Sequence, residues 1–442
     1  MTSLPNAPSL IQPSLLSRMN ERQVLRAIQA HGPMSRAEVA RYAGISAPTA
    51  SKAVEALVRG GWLEEGEAPE LLRGRPARKL HLPGRSSQVL GLVIDAEQCR
   101  IVSAGLDGTV CDESHLFPTP ETYSALISHA AAHAKILMAR PGVRTLGMGI
   151  SMPGLLDYRQ QRGILSPNVP ITNDHSPAID FSETLGIECV LVQESHALCL
   201  AERYYGNARG LDNFAMLDAT SGVGLGVMSG GQLLTGNRGL AGEIGHITVM
   251  PDGRQCGCGN QGCLETVACD SAVAWAISRR LERRVTVEEL IAHLETAQIA
   301  IGAELPLSAS GGSLPIPADA LDTMTGYMAI GVAAVINLFN PSTLFIHSRL
   351  LRASEELFES MTTAARQRTL GPSFADCHIV QARGSKRQGA VAAIIEHLLS
   401  GLVPMPMKDT HYLAGSATSR RETAASVSHA DAEQFRSKEV MS

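Results

Sequence analysis

Near the start of the chain, apolar residues recur at helical spacing in three short blocks. Val24, Leu25 and Ile28 make one face of a first helix, which His31-Gly32-Pro33 brings to an end. Ser35 and Glu38 form a capping box for a second helix, with Val39 and Ala40 as its inner face and Gly44 as its stop. Ser46 caps a third helix with Pro48 in its first turn, and Ala53, Val54 and Leu57 face inward as far as Gly60-Gly61. Two helices joined by a short turn containing glycine predict a helix-turn-helix. Trp62-Leu63 and Arg78–Leu82 predict the strands of a wing, with Arg73-Gly74-Arg75-Pro76 between them.

From Gln88 the period changes to that of strands. GLVID, RIVSAGL and TVCDESHLF follow one another across short turns that include Asp107-Gly108, a hairpin signal. A helix over about 121–139, a strand through Thr145–Ile150 and a strand-helix pair at 188–193 and 195–205 complete one α/β lobe. FAMLDA and GLGVMSGGQLL open a second lobe with the same pattern, which then runs mostly helical with strands near 343–347 and 376–381. The repeated opening predicts an internal duplication around a central cleft. The expected divisions are a flexible tail at 1–17, a winged helix-turn-helix at 18–82, a two-lobed domain at 83–403 (lobes about 83–205 and 206–403) and a disordered tail at 404–442.

Charge separates these parts. The chain of 442 residues carries a net −5, yet Arg18–Leu82 holds eleven Lys/Arg against seven Asp/Glu. The two tails are neutral, so the central body is acidic and the N-terminal module basic. A basic module with this helical pattern predicts a DNA reader. Its candidate contacts are Ser46, Pro48, Thr49, Ser51 and Lys52 near the start of the third helix, and Arg73 and Arg75 on the wing, aimed at a narrow minor groove. No unbroken apolar run reaches the ~20 residues of a membrane span, and no charged start precedes an apolar core at the N-terminus, so a cytoplasmic protein without a membrane partner is expected.

Nine cysteines are an odd number, and three of them crowd together in Cys256-Gly-Cys258-Gly-Asn-Gln-Gly-Cys263. Gly245-His246 lies just upstream. One imidazole and three thiolates meet the tetrahedral N/S demand of Zn²⁺, and the glycines permit the chain reversals that such a site needs. His246, Cys256, Cys258 and Cys263 are therefore the predicted ligands. With the shell filled and no acidic ligand among them, the expected role is structural.

GEIGH followed by CGCGNQGCLE resembles the signature of the ROK family (repressor, open reading frame, kinase). The likeness runs from about Met19 to Leu402, and Ser151-Met-Pro-Gly154, Ser166-Pro-Asn168 and NLFNPSTLFI (337–346) fit it as well. It implies an actin-like, ribonuclease H-like sugar-kinase fold whose two lobes close on a sugar. Family members are sugar kinases or sugar-responsive transcription factors, and the added DNA-reading module marks the latter. Carried over to matching positions, Asn168, Gln193, Glu194, Glu243, His246 and Glu265 are the expected sugar contacts, with His246 shared between metal and sugar.

The departures separate regulator from enzyme. Val192-Gln193-Glu194-Ser195-His196 stands where family kinases carry an E-N-D-A-N-like segment, so Glu194 replaces the catalytic base, and no catalytic residue is expected. The phosphate loop D-x-G-x-T reads Asp95-Ala-Glu97-Gln-Cys99, which opposes ATP by bulk and charge. The family's Gly-Gly beyond NLFNPxxxxI is replaced by His347-Ser348-Arg349. The resemblance thus implies a repressor of carbohydrate genes that binds a pseudo-palindromic operator as a homodimer or homotetramer. Its effector would be a sugar or sugar phosphate. A sugar kinase with an appended DNA-binding module and a repressor gated by a partner protein are the alternatives.

Overall fold

The computed structural model describes residues 13–66, 78–84, 86–297 and 318–400. The first helix, α1 (Pro13–His31), packs with α2 (Arg36–Tyr42) and α3 (Ala47–Arg59) around Val24, Ile28, Val39, Val54 and Leu57. Residues 13–17, expected in the flexible tail, are the first turn of α1. Proline does not oppose this, because Pro13 occupies the first helical position, where no N–H is needed. Both caps form as the sequence predicts. Ser35 N–H donates to the Glu38 carboxylate at 2.8 Å while Glu38 N–H donates to Ser35 Oγ at 3.3 Å, and Ser46 Oγ accepts from Thr49 N–H at 3.3 Å.

The wing strands lie further along than Trp62-Leu63: β1 (Glu64–Glu65) pairs antiparallel with β2 (Leu80–His81). Leu63 and Leu80 are both buried beneath the helices. Arg36 of α2 donates to Glu65 at 2.7 Å, and Arg78 reaches the same carboxylate at 3.2 Å, so the carboxylate fixes both wing strands to α2. Arg73 and Arg75 lie outside the described residues, as do 1–12 and the expected tail at 404–442.

The body holds two five-stranded sheets. In the first, β3 (Ser87–Ile94), β4 (Gln98–Gly105) and β5 (Val110–Pro118) are antiparallel neighbours, and β6 (Arg144–Met152) and β9 (Glu188–Gln193) continue parallel from the other side of β3. A small ribbon of β7 (Leu155–Asp157) and β8 (Arg162–Leu165) stands apart. In the second sheet, β10 (Phe214–Asp218) takes the place of β3, flanked by β11 (Gly224–Ser229) and β12 (Gln232–Leu233) on one side and by β13 (Thr343–His347) and β14 (His378–Gln381) on the other. The strand orders β5-β4-β3-β6-β9 and β12-β11-β10-β13-β14 are the same arrangement twice. Every residue of β3 and of β10 is buried, as befits central strands covered on both faces.

Helices α4 (Tyr123–Met138) and α5 (Pro177–Leu185) cover one face of the first sheet, and α6 (Glu194–Tyr205) leaves the end of β9. The second lobe adds α7 (Asp270–Arg280), α8 (Val287–Ala297), α9 (Ala318–Phe339), α10 (Arg349–Ala353), α11 (Glu355–Arg366) and α12 (Gly371–Ala375). The segment Asp319–Phe339 has the length and composition of a membrane-crossing helix, although polar residues interrupt its apolar run. Here α9 is a core helix of the second lobe, with Met324, Met328, Val332, Val335 and Ile336 buried.

The last helix, α13 (Lys386–Ser400), corrects the expected lobe boundary. It returns to the first lobe and packs on α6, β3 and β6, so 206–403 is not one lobe. Close approach makes this possible: a Cβ on Gly149 of β6 would sit 1.8 Å from the Ala390 carbonyl oxygen. The helix-turn-helix is tied to the same lobe. Ser87 Oγ donates to Gly61 O at 2.8 Å, Arg144 donates to Gly60 O at 2.9 Å, and α1 rests on α13.

Candidate functional site

Four of the six residues expected to meet a sugar gather where β9 ends and α6 begins, opposite the GEIGH segment. Gln193 is the last residue of β9 and Glu194 the first of α6. Gln193 Nε2 donates to Glu243 Oε1 at 2.8 Å, and Glu243 Oε2 lies 3.6 Å from His246 Nε2. Burial pushes the Glu243 carboxyl up; His246 opposes the rise and Glu265 adds to it. Glu265 sits behind this row. One of its oxygens accepts from Val223 N–H at 3.2 Å, and the other lies 3.4 Å from Cys256 Sγ. Asn168 is exposed on the loop after β8; among the described residues, no hydrogen bond joins it to the other five.

A second tier holds Gln193 in place, and sequence reasoning missed it. Tyr158 OH accepts from Gln193 N–H at 2.9 Å and pairs with His196 Nδ1 at 2.7 Å. Burial pushes the His196 imidazole down to about 4, so it stays neutral. Ser195 Oγ donates to Gln193 Oε1 at 2.5 Å, which fixes the orientation of the amide.

The metal candidate lies on the far side of His246. Its Nδ1 is 3.6 Å from Cys256 Sγ, and Cys258 Sγ is 3.8 Å from Cys263 Sγ. The four ligand atoms all lie within 4.8 Å of one another. A tetrahedron with Zn–S of about 2.3 Å and Zn–N of about 2.0 Å has edges of roughly 3.5–3.8 Å, so the group fits zinc. The sharp reversal needs glycine at 262, where φ is +67° and a Cβ would fall 1.6 Å from Met250 O. Gly257 of the same loop faces Pro167 of the first lobe; a Cβ built there would lie 3.1 Å from the proline's own Cβ.

Deeper in the cleft, Glu194 forms an ion pair with Lys386, whose Nζ also lies 3.2 Å from Asp95 Oδ2. Burial pulls the Lys386 ammonium down; the carboxylates of Glu194, Asp218 and Asp95 outweigh it and hold the ammonium well above its ordinary range. For Glu194, burial pushes the carboxyl up and Lys386 works against it. Asp218 is held below its ordinary value against burial, chiefly by His347, whose Nδ1 is 2.9 Å away.

The altered kinase elements are all engaged. Glu97 is exposed and pairs with Arg284 at 3.1 Å. Cys99 of the same segment is a fully buried core residue of β4. Of the segment replacing Gly-Gly, His347 holds Asp218, Ser348 Oγ donates to Asp270 at 2.6 Å and Arg349 reaches Glu288 at 2.7 Å.

On the helix-turn-helix, Ser46, Pro48 and Lys52 are exposed, and Thr49 and Ser51 half-exposed. Ser46 Oγ serves as the cap and lies 2.8 Å from Thr49 Oγ1, so these two hydroxyls are partly occupied within the helix.

A winged helix-turn-helix fixed to a duplicated two-sheet domain, with a Cys/His knuckle beside its cleft, defines a class of sugar-kinase-like regulators. The ROK family model matches residues 89–396, and the chain belongs to that family; a MarR family model matches residues 16–71. It is 25% identical to the DNA-binding transcriptional dual regulator NagC of Escherichia coli K12 over 395 residues, covering 88% of this chain and 95% of that one. With the xylose repressor of Bacillus subtilis the identity is 24% over 394 residues, covering 87% and 97%. Among solved structures, a ROK family transcriptional regulator described as a homologue of the E. coli MLC protein superposes with a TM-score of 0.74 at 23% identity, covering 88% of this chain and 98% of that one.

Proposed function

We propose that this chain is a cytoplasmic repressor of carbohydrate genes whose operator affinity is set by a sugar held between its two lobes. The observation that carries the reading is the double use of His246. Its Nδ1 faces the cysteine group while its Nε2 faces Glu243 in the cleft. A ligand that draws on Glu243 is thereby linked to the metal loop. In this reading Glu243, His246, Gln193, Glu194, Glu265 and Asn168 contact the sugar, and carboxylates accept from vicinal hydroxyls. Zn²⁺, bound by His246, Cys256, Cys258 and Cys263, ties the loop into a fixed wall.

The kinase reaction is lost in this account. Lys386 engages the carboxylate that would act as base, and by the family resemblance Glu97 adds bulk and negative charge to the phosphate loop. The route to DNA is α13: it begins at Lys386 in the cleft and carries α1 of the helix-turn-helix against its side. Closure of the lobes on sugar shifts that rod and with it the paired recognition helices of a homodimer or homotetramer, which read a pseudo-palindromic operator through α3 and the wing. The test is a coupled assay of ATP consumption with a hexose panel, run beside operator binding. The account expects no sugar-dependent ATP hydrolysis and specific DNA binding; robust phosphorylation of any hexose would contradict it.

A further inference from the structure

The polar floor of the cleft continues past the sugar contacts. From His246 it runs through Glu243 to Gln193, then to the adjacent Glu194, then through Lys386 to Asp95. Asp218 acts electrostatically on the same ammonium. Beyond Asp95 the turn presents Glu97. Along this floor Glu243, Glu194, Asp95 and Asp218 are acidic, with Glu265 behind them, and Lys386 is the one ammonium among these residues. It already has two carboxylates in contact, and its side chain is only 18% exposed. Arg284, at the outer end, is paired with Glu97.

From this we infer that the effector is an unphosphorylated sugar: the cleft rejects a phosphoryl group on the hydroxyl that points along the floor toward Glu194. A dianionic phosphate there would meet several carboxylates with no unpaired cation among the named residues, in a partly water-excluded site where Coulomb repulsion is weakly screened. A neutral hydroxyl at the same place donates to the Glu194 carboxylate and carries no charge for the other carboxylates to repel, so it gains from the arrangement that excludes phosphate. The ion cluster thus acts as a charge filter between a sugar and its own phosphate ester. This inference rests on the proposal that a sugar lies against Glu243, His246 and Gln193.

The test uses the full chain with zinc present and titrates each aldohexose and N-acetylhexosamine beside its 6-phosphate by calorimetry. For the sugar that binds, the neutral form should bind at least ~10-fold more tightly than its 6-phosphate. In Asp95→Asn, which removes one carboxylate from the cluster, that ratio should narrow by ~3-fold or more. A melting curve checks that the variant is folded, and Glu97→Gln provides a second neutralised position if it is not. A 6-phosphate that binds as tightly as its neutral partner, or a ratio unmoved in the folded variants, overturns the filter and leaves the sugar site standing. If no member of any pair binds, the sugar site fails and the filter with it.

Discussion

Gln193 and Glu243 face each other across the two lobes: the amide at the end of β9 donates to the carboxylate of the GEIGH segment at 2.8 Å. The donor is fixed from behind by Tyr158 and Ser195, and the acceptor touches His246 through its other oxygen. In the proposed reading, a sugar bound here would bridge or replace this bond at the joint between the lobes, with the cysteine group one imidazole away.

The metal loop should therefore fail together with the effector response. The account expects one zinc per chain by elemental analysis, and Cys258→Ser should lose the metal and the sugar-induced change in DNA binding while α1–α3 stay folded. Full zinc occupancy in that variant would mean that the ligand set is wrong.

Lys386→Met should destabilise the fold by about 3–5 kcal/mol in denaturant unfolding, because it leaves buried carboxylates without their cation. Its pH dependence has a definite sign. With Lys386 gone, the causes that push Glu194 up act unopposed. A carboxyl raised in the folded state is favourable at low pH and loses that advantage as pH rises through its folded value. The variant's deficit should be larger at pH 8 than at pH 5; equal deficits would argue against a buried ion pair.

His196 contributes a pH slope of its own. Its imidazole is held down at about 4 from an ordinary 6.5, so the unfolded chain binds a proton that the folded chain refuses over that interval. Stability from this group is full above pH 6.5 and falls as pH drops toward 4, by roughly 3 kcal/mol at most. His196→Gln should flatten the stability curve between those limits, whatever its offset at neutral pH. An unchanged slope would mean that His196 is not held neutral by burial.

Much of the DNA-reading module was legible because its signals are local. Ser35 with Glu38, and Ser46 with Pro48, are caps that close within one helical turn. The wing was less so: which residues pair depends on Leu63 and Leu80 finding the same core, and the strands formed two residues beyond Trp62-Leu63. The Cys/His group was legible from spacing alone. The ion cluster was not, since Asp95, Glu194, Asp218 and Lys386 come from four distant segments that meet only when both sheets form and α13 returns to the first lobe. The same return explains the misplaced lobe boundary. Tyr158 and His196 were invisible for a related reason: a neutral buried pair leaves no periodic signature.

Lys52 is the exposed cation near the start of α3. Lys52→Ala should weaken operator binding and lower the slope of log affinity against log salt by about 1, as expected when one phosphate contact is lost. Sugar binding by calorimetry should not change. An unaltered salt slope would remove Lys52 from the interface.

The central claim is that one cleft in the body governs DNA affinity through Glu243. The most direct measurement is fluorescence anisotropy of the full chain on DNA selected from random fragments by the protein itself, titrated with a panel of neutral sugars, for the wild type and Glu243→Gln side by side. The account predicts that at least one sugar shifts the wild-type Kd by about 5–150-fold. Glu243→Gln should bind the same DNA with near-normal affinity and show no shift. A variant that releases DNA at the wild-type sugar concentration would contradict the account, as would a wild type that responds to none of the sugars.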